Sequence, residues 1–183
     1  MRIGWPTLCG FCKGWAPGFI MPQGLKRRTG HNDLHFITFC CYHRKRLLDS
    51  VGCRDMAVRI LDEVRAQYRF SLVGYVIMPE HVHLLVSETV AVPPATIVQI
   101  FKQRVSRQML ALRSPELDGE PGPFWQRRYY DFNVYSQTKL REKLQYMHTN
   151  PVQEQLVQHP REWPWSSWSN YELGDGIVKI DAR

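Results

Sequence analysis

The stretch FSLVGYVIMPEHVHLLVS, residues 70–87, decides the fold of this chain. Its two halves, residues 70–78 and 81–87, are rich in β-branched and aromatic residues, a composition typical of strands. Only Pro79 and Glu80 separate them, which leaves room for no more than a tight turn. The sequence therefore predicts an antiparallel β-hairpin.

The segments on either side of this hairpin extend it to a β-α-β-β-α-β order. Residues 33–42 predict a first strand, and residues 54–68 carry apolar side chains at helical spacing and predict an amphipathic helix. Residues 94–112 predict a second long helix, a Pro-, Gly- and acid-rich loop follows at 114–123, and residues 124–135 predict a fourth strand. This order is the split β-α-β, or ferredoxin-like, arrangement, which is also RRM-like. We expect an α+β fold in which the first two helices cover one face of a four-stranded antiparallel sheet.

A third helix follows the fourth strand, and it begins at Ser136, a residue type that caps helices. Pro151 disfavours helical geometry at Asn150, so we expect this helix to end about there. An aromatic tail comes after it. The second face of the sheet is then available either for a ligand or for this C-terminal helix.

The predicted domain spans residues 31–173, and a hydrophobic fraction of 44% in 183 residues fits one compact domain with its own core. Residues 1–30 are rich in Gly and Pro, show no periodicity and end in a basic cluster, which predicts a poorly ordered basic extension. Residues 174–183 are expected to form a C-terminal tail. Cys9 and Cys12 form a CxxC pair, but no second ligand pair follows it.

The charge balance favours polyanionic partners. Lys and Arg number 24 against 17 Asp and Glu, for a net charge of +7, so nucleic acid is the leading partner class. The longest uninterrupted apolar run, residues 75–78, is far shorter than the ~20 residues that a membrane-spanning helix needs. The opening stretch has no apolar segment of signal-peptide length. The five cysteines are too few for a disulfide scaffold, and an odd number cannot all be paired within the chain. We expect a cytoplasmic, nucleoid-associated protein with no membrane partner.

The first candidate site residues are His81 and His83 in the second strand of the hairpin. Residues two apart in a strand point to the same face, so both imidazoles project together. Two neutral imidazoles at a fixed separation can bind one divalent metal ion. Two surface or locally hydrogen-bonded histidines are the alternative.

The second group of candidate residues lies on the third helix. At 100° per residue, four polar side chains fall within about 60° of one another, and an apolar stripe about a right angle away would face the sheet. A tyrosine in such a position can also simply pack its ring and hydrogen-bond its hydroxyl. Together with the paired histidines, this group suits metal-assisted phosphoryl transfer with a tyrosine nucleophile. The four polar residues are Lys139, Lys143, Tyr146 and Asn150.

Four motifs carry a resemblance to a known family. In this sequence they read MPEHVHLL at 78–85, WQRRYYD at 125–131, YMHTNPV at 146–152 and WPWSSW at 163–168. In order and spacing they resemble the REP-associated tyrosine transposases, members of the HUH superfamily of single-strand DNA nickases and transposases. The likeness runs from about Leu25 to about Tyr171.

The resemblance implies a role for each matching residue. His81 and His83 correspond to the family's two metal-binding histidines, Asn150 to its third, amide ligand, and Tyr146 to its nucleophile. Such proteins use Mg²⁺ or Mn²⁺, cleave single-stranded DNA beside a folded-back palindromic hairpin, become linked to the 5′-phosphate and can rejoin the strand. The expected function is therefore that of a transposase and single-strand endonuclease. It acts either as a monomer or as a homodimer with Tyr146 working across subunits.

Other basic residues are expected to hold DNA phosphates, which anchor a strand without reading its sequence. A solvated cationic surface is the alternative for each of them. Trp163, Trp165 and Trp168 would either stack on unpaired bases or clamp the tail onto the domain, and we favour the clamp. The predicted phosphate contacts are Lys102, Arg104 and Arg107 on the second helix, Arg127 and Arg128 in the fourth strand, and Lys139 and Lys143 on the third helix.

Three other functions compete with this interpretation. A histidine-triad nucleotide hydrolase would need a third histidine where Leu85 stands. A domesticated, non-catalytic RRM-like protein that binds palindromic repeats would expose aromatic residues on the two central strands. A zinc-containing interaction module would use Cys9 and Cys12, whose spacing to other ligands is poor. No general base is identifiable from the sequence.

Overall fold

A four-stranded antiparallel sheet organises the computed structural model, which describes residues 33–89, 92–111 and 122–181. The predicted extension at 1–30, the Cys9–Cys12 pair and most of the loop at 114–123 lie outside those residues. Within them, no helix has the length and apolarity to span a bilayer. The elements are β1 (Leu34–Cys40), α1 (Val51–Tyr68), β2 (Leu72–Ile77), β3 (His81–Ser87), α2 (Pro94–Ala111), β4 (Tyr130–Val134), α3 (Gln137–Gln153) and α4 (Trp168–Glu172).

The strands lie in the order β2-β3-β1-β4, and every neighbouring pair is antiparallel. The hairpin of β2 and β3 therefore occupies one side, and β1 sits between β3 and β4. This confirms the predicted α+β fold class with its four-stranded antiparallel sheet, and the order is that of a split β-α-β fold.

The two faces of the sheet are covered by different helices. In the ladder of β1 and β3, Thr38 lies opposite His83 and Phe39 opposite Val82, so alternate residues define two faces. The Phe39 ring packs against Phe101 of α2, 5.7 Å between centroids, and α1 packs beside α2. We call this the helix-pair face. The opposite face, which carries Thr38 and His83, is the site face, and α3 covers it.

Two element boundaries differ from the predictions because of local contacts. α1 begins at Val51 rather than residue 54, since the Ser50 side chain accepts a hydrogen bond from the Cys53 amide, 3.2 Å away. β4 begins only at Tyr130, although a strand was predicted from residue 124. Trp125 forms an isolated bridge with Cys41 and is buried, and the chain leaves the ladder between that bridge and Tyr130.

The predicted end of α3 near Asn150 is wrong, because the helix continues through Pro151 to Gln153. Proline removes one backbone donor, but the carbonyls around it still find partners. The Asn150 carbonyl accepts from the Glu154 amide at 3.0 Å, and the Pro151 carbonyl accepts from Leu156 at 2.9 Å. Pro151 is itself buried, and its packing offsets the lost hydrogen bond. Asn150 is therefore a fully helical residue.

The segment after α3 covers the free edge of β2. The Ile77 amide donates to the Trp165 carbonyl at 2.9 Å, and the Ser167 amide donates to the Tyr75 carbonyl at 2.9 Å. Trp163 and Trp165 are buried, with the Arg54 guanidinium 4.8 and 3.9 Å from their ring centroids. These two tryptophans therefore clamp the C-terminal segment onto the domain.

A buried histidine joins β1 to β4 on the helix-pair face. His35 is fully buried, and its Nδ1 lies 2.8 Å from Asp131 Oδ1 while its Nε2 lies 3.3 Å from Glu88 Oε1. Burial alone lowers the pKa of His35. The hydrogen bonds and charges of Asp131 and Glu88 together outweigh that effect and raise its pKa above 6.5. The protonated ring can donate to both carboxylates.

We expect His35→Gln to destabilise the protein most in buffers below pH 6.5. Because the pKa of His35 is raised on folding, its stabilising contribution is complete below pH 6.5 and is lost as the pH rises through the folded-state value. Urea unfolding of wild type and variant across a pH series measures the difference in free energy of unfolding. A difference that grows with rising pH would contradict this assignment.

Candidate active site

β3 presents two imidazoles side by side on the site face. His81 and His83 are 2% and 1% exposed, and their Nε2 atoms are 3.0 Å apart. The predicted placement of both rings on one face is confirmed. Two nitrogen lone pairs at this distance repel each other, so the pair needs a proton or a metal ion between them.

The other nitrogen of each ring is held by a neighbouring side chain. His81 Nδ1 lies 2.9 Å from Glu80 Oε1, and His83 Nδ1 lies 2.7 Å from Thr38 Oγ1. Burial, followed by the charges of nearby basic groups, holds the pKa of His83 well below its usual value. His83 is therefore neutral at neutral pH, the state in which an imidazole binds metal.

α3 brings the predicted nucleophile to the histidines of the same chain. The Tyr146 ring meets the His83 ring edge to face, with 5.2 Å between centroids, and meets Phe36 at 6.2 Å. Asn150 lies one turn further along the helix and is 1% exposed. Its side-chain oxygen Oδ1 is buried, and no donor in the described part of the chain bonds to it. Buried polar atoms are nearly always satisfied, so this oxygen is available to a ligand such as a metal ion.

Lys143 is a buried cation beside this group. Its Nζ lies 4.6 Å from the Phe36 ring centroid and 4.8 Å from that of Phe132. Burial, and then the charge of Lys139, lower the pKa of Lys143. None of the described residues forms a hydrogen bond or ion pair with Lys143, whereas Lys139 is paired with Glu142 at 2.7 Å.

Three of the remaining predicted DNA contacts lie on the opposite side of the sheet from the histidines. Lys102, Arg104 and Arg107 are on α2, which packs on the helix-pair face. Lys102 Nζ donates to the Gln126 carbonyl at 2.6 Å, and Arg104 hydrogen-bonds to the side chain of Gln67. Arg127 and Arg128 are exposed, just before β4.

A family model described as "Transposase IS200 like" matches residues 30–150, about two thirds of the 183 residues. This chain belongs to the IS200-like transposase family. The matched region contains β1 to β4, both histidines, Tyr146 and Asn150.

The resemblance to the REP-associated tyrosine transposases is also confirmed. A curated relative of that description, from Haemophilus influenzae, is 26% identical over an alignment of 106 residues that covers 55% of this chain and 60% of the relative. The match thus spans less than two thirds of that protein's length. The solved structure of a REP-associated tyrosine transposase bound to a REP hairpin shares the fold, with 19% identity, a TM-score of 0.67 and coverage of 87% of this chain and 90% of that one. A solved structure described as a transposase from Deinococcus radiodurans is 23% identical, with a TM-score of 0.47. The match covers 68% of this chain and 95% of that one.

The site of this IS200-like transposase includes side chains that the sequence did not single out. Thr38 and Phe36 come from β1, and only the register of β1 against β3 places them beside His83. Glu80 precedes the histidines directly, so its position in the turn was a usable signal. Phe36 is 2% exposed beneath α3, which leaves the central strand without the exposed aromatic platform that an RRM-like binder needs.

Two imidazole nitrogens and one amide oxygen are the donors that a divalent cation would have in this site. Within the described ranges, no three His, Cys, Asp or Glu side chains are arranged to hold a metal ion, so a site here depends on the Asn150 amide. Two ligands at right angles around an ion ~2.1 Å away lie ~3.0 Å apart. The Nε2 atoms of His81 and His83 have this separation, and the unsatisfied Oδ1 of Asn150 supplies an oxygen donor.

Gly74 on β2 lets α3 approach the sheet closely. A Cβ at this position would lie 2.8 Å from Leu144 Cδ2 and 3.1 Å from Met147 Cε, both on α3. Any side chain here would require the ends of Leu144 and Met147 to move, and a branched one would crowd them further. The close packing of α3 on β2 therefore depends on the absence of a side chain at this position.

We expect Gly74→Val to lower the free energy of unfolding by about 1–3 kcal/mol through overpacking against α3. Gly52→Ala is the matched control, since nothing lies within 4 Å of the added carbon and the site is helical. Urea unfolding of both variants measures the effect. Equal stability of Gly74→Val and wild type would show that the helix is not packed this tightly.

Proposed function

We propose that this protein is a metal-dependent single-strand DNA transposase and endonuclease that cleaves and rejoins DNA through a 5′-phosphotyrosine intermediate. The observation that carries the proposal is the meeting of Tyr146 with the paired histidines, 5.2 Å from the His83 ring, within one chain of the transposase family. This proximity supports action within a single subunit, without a homodimer.

In this reaction Tyr146 forms the one covalent bond between the protein and DNA. The Tyr146 hydroxyl oxygen, after losing its proton, attacks the phosphorus of the scissile phosphodiester. The bond to the 3′-oxygen breaks, that oxygen takes up a proton, and the 5′-phosphate remains on Tyr146. Because the phosphotyrosine keeps a phosphodiester, a free 3′-hydroxyl can reverse the step and rejoin the strand.

The neighbouring residues support this step in different ways. Mg²⁺ or Mn²⁺ held by His81, His83 and Asn150 would supply Lewis-acid stabilisation of the phosphate charge. A free tyrosine phenol has a pKa near 10, so a positive group near the Tyr146 hydroxyl would favour its ionised form. Lys143 is the candidate for that group, since its ammonium and the Tyr146 ring both contact Phe36 and no carboxylate is paired with Lys143 among the described residues.

Single-stranded DNA with a hairpin is the proposed substrate. The net charge of +7 favours a polyanion, and Arg127 and Arg128 are exposed for phosphate contacts. A structural neighbour of the same fold is described as bound to a REP hairpin. Lys102, Arg104 and Arg107, on the helix-pair face, would contact DNA only outside the reacting strand.

We expect wild type with Mn²⁺ and a 3′-labelled hairpin-bearing single strand to yield a slowly migrating adduct on denaturing electrophoresis. Tyr146→Phe abolishes the adduct while binding to the uncleaved strand is retained, because only the hydroxyl oxygen is lost. Tyr135→Phe, at an exposed tyrosine beyond β4, is the control that keeps the adduct. An adduct formed by Tyr146→Phe would show that the nucleophile is another residue.

A second test separates the buried lysine from the exposed one. Lys143→Met keeps the packing on Phe36 but removes the positive charge. We expect the single-turnover rate of cleavage to fall about 100-fold, which is the usual effect of losing one group that stabilises charge in the transition state. Lys139→Met removes a cation already paired with Glu142 and changes cleavage only a few-fold. Equal losses in the two variants would contradict a special role for Lys143.

A further inference from the structure

A chain of three side chains leads from the partly exposed Arg44, through Glu80, to the buried His81 ring. Arg44 Nη2 donates to Glu80 Oε1 at 2.8 Å, and the same oxygen lies 2.9 Å from His81 Nδ1. The three side chains are 24%, 13% and 2% exposed, so solvent screens them little. Neither Arg44 nor Glu80 has a part in the chemistry described so far.

The backbone is built to bring Arg44 and Glu80 together. Glu80 lies in the turn between β2 and β3, and Arg44 lies in the turn after β1, where His43 and Arg44 have φ values of 51° and 54°. Left-handed conformations of residues other than glycine cost ~1 kcal/mol or more each, so surrounding contacts must hold them. The amides of Cys41 and Leu48 donate to the carbonyls of Glu80 and Pro79, both at 2.8 Å, and tie the two turns together.

The hydrogen bond to Glu80 determines which nitrogen of His81 is free. A carboxylate accepts only, so His81 Nδ1 carries a proton toward Glu80, and Nε2 is the nitrogen left to face His83. That Nε2 is the atom 3.0 Å from His83 Nε2. A carboxylate bonded to the remote nitrogen of a metal-binding histidine orients the ring and makes it a stronger ligand.

We propose that Glu80 is a positioning residue for the metal site, and that Arg44 fixes Glu80 in place. The inference rests on the proposed function, because it assumes that His81 and His83 bind a divalent cation. Thr38 has the corresponding place at His83 Nδ1, but its hydroxyl can either donate or accept and so does not fix the tautomer. The carboxylate of Glu80 is therefore what directs Nε2 of His81 toward the metal position.

Mn²⁺ binding to the DNA-free protein, followed by electron paramagnetic resonance, tests the proposal without any cleavage assay. We expect Glu80→Ala to weaken binding about 10–100-fold, the usual cost of losing such a partner. Glu80→Gln, whose amide oxygen still accepts from Nδ1, lies between Glu80→Ala and wild type, and Arg44→Gln weakens binding less than Glu80→Ala. Arg46→Gln is the control, since it breaks an exposed ion pair to Asp49 of similar length, 2.7 Å.

Nitrogen-15 spectra of the histidine side chains give a second readout that loss of stability would not produce. In the metal-free wild type we expect His81 to carry its proton on Nδ1, and in Glu80→Ala to place it on Nε2 in a substantial fraction of molecules. Should Glu80→Ala fail to fold, Glu80→Gln and Arg44→Gln carry the test, and wild-type Mn²⁺ affinity in both would overturn the proposal.

The two hypotheses fail in different ways. Wild-type Mn²⁺ affinity in Glu80→Ala, together with loss of binding in His81→Ala, would refute the role of Glu80 and leave the metal site standing. Wild-type affinity in His81→Ala would refute the metal site itself.

Discussion

The packing of the Phe36 ring is the contact on which the site depends. Its faces and edge meet groups from two different elements: His83 of β3, stacked at 5.4 Å, and Tyr146 and Lys143 of α3. Phe36 lies on the central strand β1 and is 2% exposed, so its position is fixed by the sheet. Aromatic rings prefer offset-stacked and edge-to-face neighbours, and one side chain can therefore set the relative positions of an imidazole, a phenol and a cation. The candidate site residues are polar, but their relative positions depend on contacts with an apolar ring.

Two buried histidines of this protein favour opposite charge states, because their neighbours differ. His35 is buried between two carboxylates, and its raised pKa favours the cation. His83 is as deeply buried but has a hydroxyl and another imidazole as neighbours, so its lowered pKa favours the neutral ring. His35 is therefore suited to an ion pair that joins two strands, and His83 is suited to bind a metal ion. Lys143 is buried without a carboxylate bonded to it among the described residues, and the charge of Glu142 offsets the cost of burial only in part, so an added anion would stabilise it.

The parts of this arrangement that the sequence predicts are those set by local geometry. His81 and His83 share a face because the period of a strand is two, and Asn150 lies near Tyr146 because the period of a helix is 3.6. The helix boundary at Pro151 was mispredicted because a local preference gave way to tertiary packing. Thr38 and Phe36 could not be assigned, since they meet His83 only through strand register, a contact between residues far apart in the chain. The roles of the predicted phosphate contacts and of residues 1–30 stay predictions.

The sheet and α3 carry separable parts of the proposed reaction. The histidines lie on β3, between two other strands, whereas Tyr146 lies on a helix attached mainly at β2, through Gly74, and at the C-terminal segment, where His148 Nε2 lies 3.0 Å from Ser167 Oγ. Ser167 is in turn bonded to the backbone of β2, so the C-terminal segment ties the nucleophile's helix to the edge of the sheet. The helix pair on the opposite face takes no part in these contacts. Substitutions on α2 that weaken DNA binding should therefore leave the distance between Tyr146 and His83 unchanged, because none of the groups that set it belongs to α2.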